Sequence, residues 1–218
     1  QPATGQLSSR NPNVQNAPSS GEFKKLIRAD PGTVIVEFDY TGYHALMLGY
    51  FAKCPSYMRL SALGIHDFLA AHILKNKIAL SKPEELDNEL WQETIAQLAD
   101  LPQWLSYDDK LLKTKLKWVK ANHPYVRNKQ AKPAVHGIGF GMGTKKLYDM
   151  NKGSFKSLKE AEAVRGVMRG LFPEVFRFQD KIVEQAHRDK KIITPFGYVR
   201  RFWEAMTYKP GKGLVPGE

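Results

Sequence analysis

Two groups of side chains have the types and spacing that chemistry needs. Asp39 stands at the seam between Thr33-Val34-Ile35-Val36-Glu37-Phe38, rich in β-branched and aromatic residues, and a helix-like stretch from Thr41 to about Lys53. A carboxylate at the C-terminal end of a strand, just before a helix, sits on a rigid element beside a cleft. It suits a hard cation such as magnesium, which takes one or two protein carboxylates and fills its shell with phosphate and water oxygens. An isolated Asp at such a point also reads as a turn residue. Glu37 shares the strand face of Asp39 but lies one pleat repeat away, too far to join it on one ion. The second group is Asn128, Lys132 and His136, which recur every four residues and so share one helix face. Such a face can present a cation to a triphosphate and a flat ring to a base or sugar. Gly137, Gly139, Gly141 and Gly143 alternate just after it and also read as a Gly-rich loop, but no strand and helix flank them in the manner of a dinucleotide fold.

The elements that must hold these groups are partly legible. Residues 33–38 predict a mostly buried strand, and Thr41 is placed to cap the helix after it. Ser81-Lys82-Pro83-Glu84 is a capping-box signature that predicts an amphipathic helix carrying Leu86, Leu90, Ile95 and Leu98. Asp109 to Ala121 predicts another, with Leu111, Leu112, Leu116 and Val119 set against Lys110, Lys113, Lys115, Lys117 and Lys120. That lysine face reads either as a solvated surface or as a track for a nucleic-acid backbone. Pro133 lacks a backbone donor and clashes with the preceding turn, so the helix bearing Lys132 and His136 is expected to kink there or to start later. Ser157-Leu158-Lys159-Glu160 opens a further helix to about Leu171, and residues 175–189 continue as helix.

The 218 residues suffice for a real core in one or two domains, and the formal charge of +11 favours a polyanionic partner: nucleic acid, nucleotide or membrane surface. The single cysteine, Cys54, excludes an internal disulfide and a cysteine-based zinc cluster. No apolar run is long enough to span a bilayer and no signal peptide is present, so the expectation is an intracellular, cytoplasmic chain without a membrane partner. The start in Gln-Pro-Ala-Thr-Gly and the loose end at Lys-Gly-Leu-Val-Pro-Gly-Glu suggest a piece of a longer protein.

Four segments, in order, resemble family A DNA polymerases, the bacterial polymerase-I type. Thr4-Gly5-Gln6-Leu7-Ser8-Ser9 followed by Asn11-Pro12-Asn13-Val14-Gln15-Asn16-Ala17-Pro18 is similar to the Thr-Gly-Arg-Leu-Ser-Ser…Pro-Asn-Leu-Gln-Asn-Ile-Pro segment that precedes motif A. Asp39-Tyr40-Thr41-Gly42-Tyr43-His44-Ala45-Leu46 resembles motif A, Asp-Tyr-Ser-Gln-Ile-Glu-Leu-Arg. Gly64-Ile65-His66-Asp67 resembles Asp-Ile-His-Thr less strongly. Residues 127–147, from Arg127-Asn128 through Ala131-Lys132 to Phe140-Gly141-Met142, resemble motif B, Arg-x-x-Ala-Lys-x-x-Phe-Gly-x-x-Tyr-Gly-Met. Beyond it, Phe172-Pro173-Glu174-Val175 and Thr194-Pro195-Phe196-Gly197-Tyr198-Val199-Arg200-Arg201 resemble the turn and the basic stretch that follow.

The resemblance implies an α+β fold: mostly helical fingers with a partial antiparallel palm sheet of a right-hand polymerase. Residues 1–53 would be partial palm with motif A, and 54–174 the fingers, with a helical insertion at about 70–124. Residues 175–218 would return to the palm, ending before motif C and its second catalytic aspartate. His66 and Lys132 lie 66 positions apart, a gap that such an insertion explains. The implied activity is template-directed DNA synthesis by a two-metal mechanism, with DNA primer-template and dNTPs as partners and the missing palm segment supplied in cis or by a separate chain. Asp39 would bind Mg2+ with the Tyr40 carbonyl. Lys132 would act in catalysis on the triphosphate. Tyr40, Thr41, Gly42, His44, His66, Arg127, Asn128, Lys132, His136 and Phe140 would bind nucleotide; Gln6, Asn13, Gln15, Asn16, Arg200 and Arg201 would contact DNA.

The pattern departs from the family at several points. Gln6 stands for Arg, His44 for Glu, His136 for Phe and Phe140 for Tyr. Asn128 takes the first Arg position, with Arg127 beside it able to swing in. The divergence and the insertion fit a viral member. With one carboxylate, this chain alone is expected not to extend a primer. A single-subunit RNA polymerase and a non-catalytic nucleic-acid-binding module are the alternatives; the Gln-Asn-rich first segment opposes the former, and the replaced residues favour the latter.

Overall fold

Helix-forming periodicity dominates this chain because its apolar residues recur mostly at three and four, and the structure follows it. A computed structural model describes residues 25, 28–36, 42–76, 88–202, 206–209 and 213–216. Most of these are helical, with two small antiparallel sheets, an α+β composition. The chain divides into two units, Gln1–Tyr40 and Thr41–Glu218. The expected divisions after residues 53 and 174 both fall inside the second.

In the first unit, Thr33 closes a turn on Asp30, donating its N–H and its hydroxyl to the same carbonyl at 2.9 and 2.8 Å. Residues 33–36 are not the expected buried strand: Val34, Ile35 and Val36 are exposed and pair with no strand among the described residues. A β-prone sequence becomes a strand only where a neighbour takes up its backbone groups and a layer covers one face. Asp39, Tyr40, Thr41, Gln6, Asn13, Gln15 and Asn16 lie outside the described residues.

The second unit begins with α1 (Tyr43–Phe51), α2 (Pro55–Leu63) and α3 (Ile65–Lys75). The N-cap of α1 is Gly42, at φ 66, one residue later than the expected Thr41. A side chain at Gly42 would lie 2.9 Å from the Ser61 carbonyl oxygen, so the chain turns into α1 against α2 and only glycine fits there. After α4 (Asn88–Gln97), a 3-10 turn (Leu101–Ser106) and α5 (Asp109–Asn122) complete the region expected to be inserted; the region's expected start falls inside α3. The capping box at Ser81 lies outside the described residues. Leu98, just past the end of α4, is buried but Ile95 on it is half exposed, and on α5 Leu111 is exposed while Leu112, Leu116 and Val119 are buried. Each helix therefore turns a narrower stripe inward than its apolar content suggested.

A π-helical turn (Val126–Ala131) runs straight into α6 (Lys132–Gly139), followed by α7 (Thr144–Met150), α8 (Leu158–Leu171) and α9 (Pro173–Asp189). The π turn is the form the expected kink takes. Pro133 cannot give an N–H to the Lys129 carbonyl, its α-helical partner, and widening the preceding turn relieves both that loss and the ring clash. Ser157 caps α8 by accepting from the Glu160 N–H, but the Glu160 carboxylate accepts from the Lys156 N–H at 2.6 Å, one residue before the reciprocal partner a capping box uses. A hairpin of β1 (Lys191–Ile193) and β2 (Val199–Arg201) follows, then a second of β3 (Met206–Lys209) and β4 (Gly213–Pro216).

One core runs through the second unit, with Tyr57, Phe68, Trp104, Leu112, Phe155 and Phe172 almost wholly buried. The α4–α5 region joins it through polar ties as well as apolar packing. Arg59 on α2 donates to Asp109 at 2.7 Å and to the carbonyls of Leu105 and Tyr107. Asp100 accepts from the Trp104 indole at 2.9 Å and the Tyr107 hydroxyl at 2.8 Å, and pairs with Lys115 at 3.1 Å. Desolvation raises the Asp100 pKa, but these three donors outweigh it and hold the carboxyl at about 2. Among the described residues no helix is long and apolar enough to cross a membrane.

His72 on α3 meets the ring of Phe68 edge-on, 4.8 Å between centroids, and its Nε2 is buried without a hydrogen-bond partner among the described residues. Burial, and then the charge of Lys75, lowers its pKa from 6.5 to about 4. Between those values the unfolded chain binds a proton that the folded chain does not, so stability is full above about pH 6.5 and is lost as pH falls towards about 4. His72→Leu should therefore flatten the decline of Tm over that window. A thermal-unfolding series with the same slope as the parent would assign the acid sensitivity elsewhere.

Candidate functional site

The site is built from a glycine outward. Gly64 ends α2 at φ 147, and a side chain there would lie 2.7 Å from Oδ2 of Asp67, so the missing Cβ is what lets the carboxylate fold back over the start of α3. Asp67 is buried, and Arg127 on the π turn donates its Nε to Oδ1 at 2.7 Å. Burial raises the Asp67 pKa, with the Arg127 hydrogen bond and charge acting in the opposite sense. Arg127 also donates to the Asn128 side-chain oxygen at 2.6 Å. In this structure Arg127 is thus engaged with both Asp67 and Asn128. The sequence reading missed Asp67; its one signal was a carboxylate directly before the apolar run Phe68-Leu69-Ala70-Ala71.

Three segments distant in sequence then meet in the second unit. Asn128, Lys132, His136 and Phe140 lie along one exposed side of the π turn and α6. His66, at the start of α3, brings its ring to 5.2 Å from that of His136. His44, on the first turn of α1, brings its ring to 5.7 Å from that of Phe140. A pocket of about 190 Å³ opens between α1 and α6, walled by His44, Leu48, Val135, His136 and Phe140. Phe140 is 73% exposed, a large ring offered to solvent at the pocket mouth. Gln179 on α9 steadies the end of α6 by donating to the carbonyls of Ile138 and Gly139 at 2.7 and 3.1 Å.

The electrostatics favour neutral imidazoles ringed by cations. Burial first, then His136, Arg127 and Lys132, lowers the His66 pKa to about 4. Burial, Lys132 and His44 lower that of His136. His66 Nε2 is buried with no partner among the described residues, an orphaned ring nitrogen near Lys132 and the Asp67-paired Arg127. A neutral ring can donate one hydrogen bond to an anionic oxygen without first taking up a proton. With Lys132 exposed beside it, the arrangement can bind a multiply charged anion through one point charge and neutral donors.

Among the described residues no three His, Cys, Asp or Glu side chains are grouped to hold a metal. The imidazoles and lysine of this face are not the oxygen donors a hard cation takes, whereas the Asp39 carboxylate and Tyr40 carbonyl are of that type. Arg200 and Arg201 stand on β2, opposite Ile192 and Lys191, with the Arg200 guanidinium 5.4 Å from the centre of the Phe202 ring. Phe196, at the tip of that hairpin, is 91% exposed.

Breaking the Asp67–Arg127 pair leaves a largely buried charge alone, the two side chains being 8% and 19% exposed. Asp67→Ala should cost about 3 kcal/mol of unfolding free energy, at the low end for a buried pair because Arg127 keeps some solvent contact. Arg127→Ala should cost a similar amount, and the double variant less than the sum of the two. Strict additivity in urea titrations would mean that the pair is not coupled.

No family model, curated protein or solved structure matches this chain, so its function has to be argued from its own residues and geometry.

Proposed function

We propose that the chain is part of a family A DNA polymerase and binds the incoming dNTP for template-directed DNA synthesis. The observation that carries the reading is the convergence of His44, His66 and the Asn128–Lys132–His136–Phe140 face, which the motif resemblance groups on one substrate although they span nearly a hundred positions of sequence. Lys132 and His66 would meet the triphosphate, the first as a fixed charge and the second as a neutral donor. Phe140 and His136 would wall the base and sugar beside the pocket. Asn128 would reach the substrate held in place by Arg127. Magnesium, held by Asp39 and the Tyr40 carbonyl, would supply charge stabilisation to the in-line attack of a primer 3′-hydroxyl on the α-phosphate. The polymerase fold, with these helices as fingers and insertion, belongs to the same proposal. So do the DNA contacts of Gln6, Asn13, Gln15, Asn16, Arg200 and Arg201.

Nucleotide binding tests the assignment directly. Lys132→Ala should weaken dNTP binding by tenfold or more, about 1.4 kcal/mol, while Lys117→Ala on α5 leaves it nearly unchanged. Equal losses in a calorimetric titration would reduce both lysines to general charge and remove the motif B assignment.

Sugar choice follows from the same contact. In the family the Glu at the position of His44 excludes a ribose 2′-hydroxyl, held there by the Tyr hydroxyl at the position of Phe140. Here His44 packs on a ring that has no hydroxyl, and its own nitrogens can satisfy a 2′-hydroxyl. Strong rejection depends on leaving that hydroxyl unpaired, so discrimination should be about tenfold weaker than with the family pair, about 1.4 kcal/mol. In the complete polymerase, with the C-terminal part supplied, the His44→Glu, Phe140→Tyr double variant should raise the deoxy-to-ribonucleotide incorporation ratio by that factor. An unchanged ratio would mean that His44 excludes ribose by bulk alone.

A further inference from the structure

The lysines of α5 have no part in the nucleotide site, and the structure sorts them into two kinds. Lys115 is half-buried and bound to Asp100, on the Trp104 side of the helix. Lys110, Lys113, Lys117 and Lys120 are all exposed, and none closes an ion pair with a described residue. At ~100° per residue these four lie within about 80° of arc, a single stripe along about 15 Å of axis. Asp109, at the head of the stripe, has its carboxylate taken by Arg59. Ordinary solvated helix faces mix the two signs, because like charges three or four apart repel and destabilise the helix. Here three successive like pairs stand together, and the one carboxylate four residues from a stripe lysine, Asp109, is taken by Arg59.

The stripe is also rigidly mounted. Its helix is capped by Asp108, which accepts from the Leu111 N–H at 2.9 Å, and its far side is anchored by the fully buried Leu112, Leu116 and Val119.

We infer that this face of α5 is a docking surface for the sugar-phosphate backbone of duplex DNA. A strand of B-DNA carries a charge every ~3.4 Å of axis, so about 15 Å of helix faces about four phosphates, one for each lysine. The duplex, and not a single strand, is the occupant because no exposed aromatic ring stands on the stripe. Single-strand sites stack bases on such rings, and the one aromatic residue of α5, Trp118, is half-buried with its indole N–H given to Glu93 at 3.0 Å. The inference does not rest on the polymerase reading, since it concerns a different surface and a different ligand.

The test is salt-dependent binding of the 218-residue chain to a fluorescent 24-base-pair duplex, followed by anisotropy. The Lys110→Gln, Lys113→Gln, Lys117→Gln, Lys120→Gln variant is compared with one that neutralises four exposed lysines elsewhere, Lys152, Lys156, Lys159 and Lys181. The α5 variant should lose at least tenfold in affinity at 100 mM salt. Its slope of log K against log salt should be shallower by about 3.6, since each phosphate that a lysine no longer neutralises removes about 0.9. The control should change much less, and Lys→Arg at the four α5 positions should retain the parent slope. Should circular dichroism find the fourfold variant unfolded, Lys113→Gln, Lys117→Gln is read in the same way with about half the effect. Equal losses in the α5 and control variants, an unchanged slope, or a loss confined to a single strand of the same sequence would each overturn the inference. Nucleotide binding measured on the same variants separates this outcome from the fate of the Lys132 assignment.

Discussion

The ion pair between Asp67 and Arg127 is the constraint around which the second unit is arranged. It joins the start of α3 to the π turn across 60 positions of chain, and everything between those positions must leave and return without disturbing it. Neither partner is well solvated, so the pair holds its geometry where a surface bridge would sample many. Gly64 makes room for the carboxylate, and the second hydrogen bond of Arg127 sets Asn128. The His66–His136 contact joins α3 to α6, which continues directly from the π turn. A single buried pair thus fixes the register between two segments that would otherwise be tied only by apolar packing, which tolerates sliding.

The α4–α5 region between them keeps that constraint by attaching itself to the helices on either side. Arg59 reaches it from α2 with three donors, two of them to backbone carbonyls that a loop end would otherwise leave to water. Asp100 gathers an indole, a phenol and an ammonium, a set of donors that makes its ionised form the stable one. Thr94 and His123 close the far end at 2.8 Å, joining α4 to the residue after α5. The region is consequently a packed part of the core, and its outer helix presents charge from a fixed frame.

Pro133 has an effect out of proportion to its size. By removing one donor it converts the turn before α6 from α to π, and the widened turn carries Arg127 and Asn128. The π turn carries Asn128 and α6 carries Lys132 and His136, and Asn128 is oriented by Arg127. The departures from the polymerase pattern at Asn128, His136 and Phe140 fall on the π turn, on α6 and at its end, and on the proposed reading they would be felt together by the same substrate.

Local rules determined a good deal from the sequence alone. The boundaries of α5, α8 and α9, the interruption before α6, the lysine face and the common side of Lys132 and His136 follow from spacing, capping and proline chemistry, which act over a few residues. The α+β composition followed from the family resemblance. Tertiary structure decided what those rules cannot reach. Nothing local distinguishes Lys115, held by Asp100, from the four lysines of the stripe. Val34 and Ile35 have the propensity of a strand, yet strand formation needs a partner that no local pattern specifies. Asp67 and Arg127 each look like an ordinary surface charge in sequence, and only the fold, by burying both beside one another, makes them the pair that sets the site.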